Sequence, residues 1–459
     1  MSTAFDSIII GTGQAGPFLA SRLTGAGMKV AIVERKLFGG TCVNTGCIPT
    51  KAMVASAYAA HIARRGAEFG FTSSGVGVDM RRVKARHDAI SGASKTGVEN
   101  WLRGMKNCTV YQGHARFESP REITVGADRL TAGRVFLNVG GRALVPPLPG
   151  LDEIKVLTNS SMMDVDSLPR HLLIIGGSYV GLEFGQMFRR FGSAVTVIEM
   201  GTRLIQREDE DVSETIREIL AQEDIDIRLN ARCVSFSSRG RGAIAHLDCS
   251  SGSREVEGTH VLVATGRRPN TEDLGLDRAG VTVDERGYII VDDELRTNVP
   301  GIWALGDCNG RGAFTHTSFN DGEIAAANLL DNDHRRISDR ITAYALYIDP
   351  PLGRAGMTEA EVRRTGRKAL IGKRPMTRVG RAVEKGETQG FMKVMVDAET
   401  QQILGAAILG TGGDEAIHSI LDVMYAKAPY TVIRRAVHIH PTVSELIPTM
   451  LGDLEPMAP

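Results

Sequence analysis

The sequence predicts an α/β fold in which two Rossmann-like domains are followed by a C-terminal α+β domain. Three observations lead to this prediction. Near the N-terminus an apolar strand, a glycine-rich loop, a helix and a strand ending in an acid follow one another. The same order returns about 165 residues later. Beyond about residue 345 the pattern changes to alternating stretches, typical of an antiparallel sheet with a turn near residues 397–400.

Length and composition set the limits of the prediction. A chain of 459 residues suggests about three domains. Lys+Arg and Asp+Glu both number 54, so no general attraction to nucleic acid or to an anionic membrane is expected. The N-terminus does not resemble a signal peptide, and no apolar run reaches the length of a membrane span. Six cysteines in so long a chain do not form a secreted disulfide framework, and a cytoplasmic location is expected.

The first repeat carries the loop GTGQAG between two apolar strands. Gly11 permits the tight turn, Gly13 lets a pyrophosphate approach the backbone, and Gly16 lets helix and strand pack closely. Glu34 ends the second strand, where a carboxylate can accept hydrogen bonds from an adenosine ribose. The spacing of both strands and the acid predicts a dinucleotide site at this loop.

The second repeat carries the loop GGSYVG between a strand at residues 172–175 and, after a helix, a second strand that ends at residue 199. Gly176 and Gly181 occupy the first and last glycine positions, and Ser178 replaces the middle one. Glu199 ends the second strand, and a carboxylate there favours NADH because it repels the 2′-phosphate of NADPH. Arg203 is near enough in sequence to weaken that preference. Two such repeats imply two dinucleotides.

Two further motifs carry reactive side chains. The stretch FGGTCVNTGCIPTK at residues 38–51 holds Cys42 and Cys47, for which a structural disulfide, a metal site and a catalytic disulfide are all open. The stretch HPTVSE near the C-terminus holds His440 and Glu445, with Pro441 between them. Because the ordinary pKa of histidine is about 6.5, His440 is a candidate general acid–base. His438 completes an H-x-H, but two histidines are a weak ligand set, so no metal site is predicted.

These motifs together, with ATGRRPN and ALGD between them in the same order, resemble the class I flavoprotein disulfide reductases. That family includes dihydrolipoamide dehydrogenase, glutathione reductase and mercuric reductase. The resemblance covers residues from about 5 to 450, and the chain is most similar to the branch that holds mercuric reductase and a copper reductase. It implies that FAD binds the first repeat and NADH or NADPH the second. The implied domains are FAD-binding (1–145), NAD(P)H-binding (146–262), a return to the FAD domain (263–340) and dimerisation (341–459).

The resemblance also implies roles for individual residues. Cys42 and Cys47 would form the redox-active disulfide, with Cys47 as the thiolate beside the flavin and Cys42 as the thiol that meets the substrate. Lys51, one helical turn after Cys47, would pair with Glu183. Tyr179 would cover the flavin until the nicotinamide displaces it.

The remaining implied roles concern the cofactors and the dimer. Asp307 matches the acid that contacts the ribityl chain of the flavin. Other implied cofactor contacts are Gly40, Thr41, Lys51, Gly266, Arg267 and Gly306. His440 and Glu445 would reach across a homodimer interface into the disulfide site of the partner subunit.

Alternative functions remain at this point. A transhydrogenase or NADH oxidase could use the same fold, but neither needs two cysteines and His440. A sensor that binds NADH and signals without turnover is a third possibility. The sequence does not decide whether the electron acceptor is lipoamide, a small disulfide, Cu(II) or Hg(II). No cysteine follows Cys308, whereas mercuric reductases end in a cysteine pair, so efficient Hg(II) reduction is not expected.

Overall fold

The N-terminal sheet is built around the first glycine loop. The computed structural model describes residues 2–240, 242–248 and 252–458. The strands of the first part are β1 (Ser2–Ile10), β2 (Val30–Glu34), β3 (Cys108–Gln112), β4 (Ala115–Ser119), β5 (Glu122–Val125) and β6 (Asp128–Leu137). The helices are α1 (Ala15–Gly25), α2 (Gly40–Asn44), α3 (Cys47–Arg64) and α4 (Met80–Gly104). The strand order is β3-β2-β1-β6-β5-β4, and β3, β2, β1 and β6 run parallel. Their carboxyl ends, where α/β sheets bind ligands, therefore share one edge.

The first strand is longer than its sequence predicts. The apolar run predicts a strand over residues 7–10, but β1 begins at Ser2. Its first residues pair with β6, with Ser2 opposite Arg129 and Phe5 opposite Ala132. The additional length arises from this long-range pairing, which is not visible in the local sequence.

The middle part contains a second parallel sheet. Its strands are β7 (Gly141–Ala143), β8 (Val156–Leu157), β9 (His171–Ile175), β10 (Ala194–Ile198), β11 (Asp226–Arg228), β12 (Cys233–Arg239), β13 (Gly242–Asp248), β14 (Glu255–Gly258), β15 (His260–Val263) and β16 (Arg267–Pro269). The helices are α5 (Tyr179–Phe191) and α6 (Glu210–Gln222). The parallel order is β11-β10-β9-β15-β8, and β12–β14 form a separate antiparallel sheet. Strands β7 and β16 pair where the chain leaves the first sheet and returns to it.

The chain then returns to the first sheet. This part holds α7 (Leu276–Ala279), β17 (Ile302–Ala304) and α8 (Thr315–Leu330). Strand β17 lies parallel to β6, with Ile302 opposite Val135. The loop after β17 therefore lies at the same sheet edge as the first glycine loop.

The C-terminal part is the predicted α+β domain. Its strands are β18 (Ala343–Leu346), β19 (Leu352–Gly356), β20 (Ala369–Pro375), β21 (Phe391–Asp397), β22 (Ile403–Leu409) and β23 (Glu455–Pro456). Its helices are α9 (Glu359–Arg364), α10 (Gly380–Glu384), α11 (Gly413–Ala416), α12 (His418–Tyr425), α13 (Thr431–Arg434) and α14 (Leu446–Met450). The sheet is antiparallel, in the order β18-β19-β22-β21-β20-β23. In the described ranges no helix has both the length and the apolar character that crossing a membrane requires.

One hydrophobic core joins α3, α5 and the C-terminal sheet. Met53 of α3, Phe184 of α5 and Leu352 of β19 are fully or almost fully buried in a single cluster. Because protein interiors are close-packed, this core fixes the cysteine-bearing helix against the second glycine loop and the C-terminal sheet.

Candidate active site

The two cysteines lie on consecutive short elements at the edge of the first sheet. Cys42 lies within α2, and Cys47 is the first residue of α3. Both are thiols in this structure; Cys42 is half-buried and Cys47 is exposed. The start of an 18-residue helix favours a negative charge on the Cys47 sulfur.

The surroundings give the two thiols very different pKa values. A hydrogen bond from Cys42 lowers the pKa of Cys47 to about 6 against the opposing effect of burial, and Thr315 and Lys51 lower it further. The hydrogen bond to Cys47 and burial raise the pKa of Cys42 well above its ordinary value. The pair therefore stabilises one thiolate, on Cys47, while Cys42 keeps its proton.

Thr315 is a site residue that the sequence analysis does not identify. Its Oγ1 lies 3.0 Å from the Sγ of Cys47, although 268 positions separate the two residues. Thr315 begins α8, so the starts of two helices meet at the sulfur. No motif marks this threonine in the sequence; a helix beginning shortly after ALGD is the only local indication.

The structure brings Lys51 and Glu183 together, as the resemblance implies. The Nζ of Lys51 lies 2.5 Å from the Oε2 of Glu183. The other carboxylate oxygen accepts the backbone N–H of Tyr347 at 3.1 Å, and Lys51 Nζ lies 4.6 Å from the centre of the Tyr347 ring. The side chain of Glu183 is only 8% exposed, so this pair fixes the direction of the Lys51 ammonium.

The first glycine loop has the shape that a pyrophosphate requires. Gly11 has a φ of +104°, and a Cβ there would lie 2.2 Å from the carbonyl oxygen of Asn138. A Cβ on Gly16 would lie 2.4 Å from the carbonyl oxygen of Gly11. A Cβ on Gly40 would lie 2.9 Å from the Cα of Gly13, so the loop before Cys42 touches the first glycine loop. Thr41, the next residue, is exposed. Only residues without side chains fit these contacts, which leaves backbone N–H groups open to a phosphate.

Glu34 lies at the end of β2, as predicted. Its Oε2 accepts the backbone N–H of Thr12 at 3.1 Å and the Thr12 hydroxyl at 2.5 Å, and its Oε1 accepts the N–H of Lys36 at 2.8 Å. These bonds fix the carboxylate beside the glycine loop. Among the described residues, Oε1 accepts only the Lys36 N–H and has a second lone pair with which to accept a ribose hydroxyl.

The second glycine loop repeats this arrangement with one difference. A Cβ on Gly176 would lie 2.6 Å from the carbonyl oxygen of Ala264, and one on Gly181 would lie 2.1 Å from the carbonyl oxygen of Gly176. Glu199 accepts the N–H of Gly177 and of Gly201, each at 2.7 Å. Ser178 has an extended backbone with φ of −117°. A serine is therefore tolerated at this position without strain.

An aromatic group surrounds Tyr179 at the start of α5. The ring of Tyr179 meets the rings of Phe314 and Tyr344 edge to face, with centroids 6.2 and 5.6 Å apart. Phe314 is stacked between Tyr344 and His316, at 5.5 and 5.4 Å. Phe314 directly precedes Thr315, so one short segment contacts both Tyr179 and Cys47.

Asp307 lies on the loop after β17. Burial raises its pKa, and the charge of Arg267, whose Nε lies 3.3 Å from its Oδ2, opposes that rise. The N–H of Gly306 donates to the Oδ2 of the buried Asp321 at 2.7 Å, which fixes the loop. Gly266 lies next to Arg267, and its carbonyl accepts the N–H of Leu144 at 2.9 Å. A half-buried carboxylate at this sheet edge is suited to accept hydrogen bonds from ligand hydroxyls.

His440 and Glu445 form a hydrogen-bonded pair away from the cysteines. The Nδ1 of His440 lies 2.8 Å from the Oε2 of Glu445; the histidine side chain is 79% exposed and the glutamate 16%. Within the described part of the chain, His440 has no hydrogen bond or ion pair with either cysteine. The structure thus presents its Nε2 to the outside of the subunit. Cys308, by contrast, is fully buried, and burial raises its pKa to about 12.

One acidic cluster has the spacing of a metal site. Oxygen atoms of Asp209, Asp211 and Glu359 lie within 4.8 Å of one another. The Nζ of the buried Lys393 lies between them, at 2.9, 2.8 and 2.5 Å. The ammonium already occupies the position that a cation would take.

Comparisons with known proteins agree with this geometry. A family model described as pyridine nucleotide-disulphide oxidoreductase matches residues 5–322, and the dimerisation domain of the same family matches residues 342–451. The probable pyridine nucleotide-disulfide oxidoreductase RclA of Escherichia coli is 34% identical over 449 residues, covering 96% of this chain and 97% of that protein. A mercuric reductase of Streptomyces lividans is 32% identical over 452 residues, covering 97% and 95%. The solved Cu(II) complex of the HOCl-induced flavoprotein disulfide reductase RclA has a TM-score of 0.90 at 33% identity, covering 98% of this chain and 99% of that one.

Proposed function

The chain belongs to the pyridine nucleotide-disulphide oxidoreductase family, and from that premise we propose that it passes electrons from NADH through FAD and the Cys42–Cys47 pair to a thiol-reactive acceptor. The observation that carries this proposal is the lowered pKa of Cys47 at the start of α3. A thiolate is the reactive form of cysteine. A stabilised thiolate beside a second thiol, in a chain of this family, is suited to redox exchange at sulfur.

The family uses FAD and a nicotinamide nucleotide, and the chain is an oxidoreductase of that kind. FAD, when bound, accepts a hydride from the nicotinamide and delivers two electrons to a disulfide. We assign FAD to the first glycine loop, Glu34 and Asp307, and NADH to the second glycine loop and Glu199. The close backbone contacts of both loops support this assignment. The domain limits 1–145, 146–262, 263–340 and 341–459 follow the same assignment.

When the acceptor is a disulfide, the two cysteines would have different roles. Cys42, once deprotonated, attacks one acceptor sulfur and forms a mixed disulfide, releasing the first thiol. The Cys47 thiolate then attacks the Cys42 sulfur, which forms the Cys42–Cys47 disulfide and releases the second thiol. The acceptor gains two electrons and two protons, one from the Cys42 thiol and one from solvent, and the cysteine pair is oxidised by two electrons. Lys51, held by Glu183, keeps positive charge near the Cys47 sulfur.

The leaving thiol needs a proton, and His440 can supply it. Because His440 points away from the cysteines of its own chain and lies in the dimerisation domain, we propose that it acts at the site of a partner subunit in a homodimer. Glu445 accepts a hydrogen bond from Nδ1 and thereby leaves Nε2 to carry the transferred proton.

A metal ion is the alternative acceptor at the same site. Two Cu(II) ions would take one electron each from the Cys42 thiol and the Cys47 thiolate, giving two Cu(I), a Cys42–Cys47 disulfide and one proton. The solved relative RclA forms a Cu(II) complex, which favours testing this acceptor beside disulfides. Six cysteines in 459 residues do not form a secreted disulfide framework, and we propose the cytoplasm as the location.

The test uses the interaction of the Cys47 thiolate with the flavin. In the Cys42→Ser enzyme we expect a long-wavelength charge-transfer absorbance at rest, and in Cys47→Ser we expect none. Cys108→Ser is a matched control, because Cys108 lies on β3 and burial raises its pKa to about 11. If Cys42→Ser shows no such band over a broad pH range, the assignment of the pair is wrong. Steady-state rates with NADH and lipoamide, a small disulfide, Cu(II) or Hg(II) then identify the acceptor.

A further inference from the structure

A fully buried ion cluster joins α6 to the C-terminal sheet. Arg354 of β19 has no exposed surface, and its guanidinium pairs with Glu208, which is equally buried, and with Asp209 at 3.0 Å. Lys393 of β21 also binds Asp209, at 2.9 Å. Buried charges are held strongly by their partners, so the carboxylate of Glu208 is fixed in position.

The second carboxylate oxygen of Glu208 accepts a hydrogen bond from a tyrosine of the aromatic group around Tyr179. The hydroxyl of Tyr344, on β18, donates to the Oε1 of Glu208 at 2.7 Å. The ring of Tyr344 stacks on Phe314 at 5.5 Å and an interplanar angle of 13°, and it meets Tyr179 at 5.6 Å and 87°. Tyr344 is thus anchored at its hydroxyl and presents its ring to Tyr179. The proposed function does not use Tyr344, Glu208 or Arg354.

We propose that Tyr344, anchored by Glu208, is a positioning residue that holds Tyr179 in its resting position over the nicotinamide site. This inference rests on the proposed function and on the role that the family resemblance implies for Tyr179, in which the nicotinamide displaces its side chain. Displacement breaks the edge-to-face contact with Tyr344. A protein whose binding-competent state is rarely populated shows a correspondingly weaker affinity, so the anchored ring lowers the affinity for the nucleotide.

The experiment measures binding of NAD⁺ to the FAD-loaded enzyme by calorimetry, which does not depend on turnover. Tyr344→Leu removes the ring and should tighten binding by roughly two- to tenfold, the equilibrium effect of one aromatic pair. Tyr344→Phe keeps the ring but loses the anchor, and it should tighten binding by a smaller factor. Tyr111→Phe is the control, because Tyr111 lies on β3 and its ring contacts Phe5; it should bind as the wild type does. FAD content checks that every variant is folded.

Two results would overturn the inference. The Tyr179→Ala variant shows whether the role of Tyr344 fails alone or the covering role of Tyr179 fails as well. If Tyr179→Ala binds NAD⁺ more tightly but both Tyr344 variants bind as the wild type does, Tyr179 covers the site without help from Tyr344. If Tyr179→Ala also binds as the wild type does, the covering role of Tyr179 fails, and the role of Tyr344 fails with it. The inference is supported if Tyr179→Ala and Tyr344→Leu both bind NAD⁺ more tightly than wild type and the affinity of Tyr344→Phe lies between those of Tyr344→Leu and wild type.

Discussion

Replacing Thr315 by valine should raise the pKa of the Cys47 thiol from about 6 to roughly 7–8. The Oγ1 of Thr315 lies 3.0 Å from the Cys47 Sγ, and valine has the same shape without the hydroxyl. A hydrogen bond to a charged group contributes about 1.5–3 kcal/mol, and one pKa unit corresponds to about 1.4 kcal/mol. Loss of the bond therefore raises the pKa by about one to two units, while Cys42 and Lys51 still favour the thiolate.

The assay is a pH titration of the charge-transfer absorbance in the anaerobic, two-electron-reduced enzyme. The absorbance requires the thiolate, so it disappears as pH falls through the pKa of Cys47. In wild type the midpoint should lie near pH 6, and in Thr315→Val it should lie near or above about pH 7. Thr315→Ser keeps the hydroxyl and should titrate like wild type. A valine midpoint within about half a unit of wild type would show that the threonine does not stabilise the thiolate.

Three more predictions concern the nucleotide, the dimer and the buried charges. Because Glu199 carries a carboxylate at the proposed ribose position, kcat/KM should be higher for NADH than for NADPH; the reverse order contradicts the assignment. Mixed dimers of Cys42→Ser and His440→Ala subunits should partly recover activity with a disulfide, since one of the two sites then holds neither change; no recovery after verified subunit exchange would place the site within one chain. Lys393→Met should lower the free energy of unfolding by about 3–5 kcal/mol. Lys373→Met breaks a half-exposed pair and should lower it by less than about 1 kcal/mol. Equal losses for the two variants in urea denaturation would refute this. The Lys393→Met deficit should shrink as pH falls from neutrality, because carboxylates without a partner bind protons more readily in the folded state.

The fold was predictable where short-range patterns determine it. Each glycine loop lies between two parallel strands, and the turn after Asp397 is capped by its own carboxylate, which accepts the N–H of Glu399 and Thr400. The antiparallel sheet of β12–β14 and the early start of β1 at Ser2 were not predicted. Both depend on which strands pair, and that is decided by contacts distant in sequence.

The same distinction between local patterns and long-range contacts applies to the residues of the candidate site. Motif residues such as Cys47, Lys51 and Gly11 lie where their motifs placed them, because each motif encodes its own local geometry. Thr315 and Tyr344 were missed because neither lies in a motif. Their surroundings come from long-range contacts, to Cys47 in one case and to Glu208 in the other. A threonine or tyrosine in a sequence gives no sign of such a partner.

The buried ion cluster also limits how the nicotinamide can reach the flavin. Arg354 and Lys393 on the C-terminal sheet bind Asp209 at the start of α6, so the cluster connects the nucleotide domain to the C-terminal domain. Opening that contact would separate buried opposite charges, which costs several kcal/mol. Rotating one ring costs far less, since an aromatic pair contributes about 0.5–1.5 kcal/mol. In the proposed function, movement of the Tyr179 side chain within a fixed arrangement of domains is therefore the less costly route for the nucleotide. The cluster that opposes domain opening also anchors Tyr344, whose ring contacts that side chain.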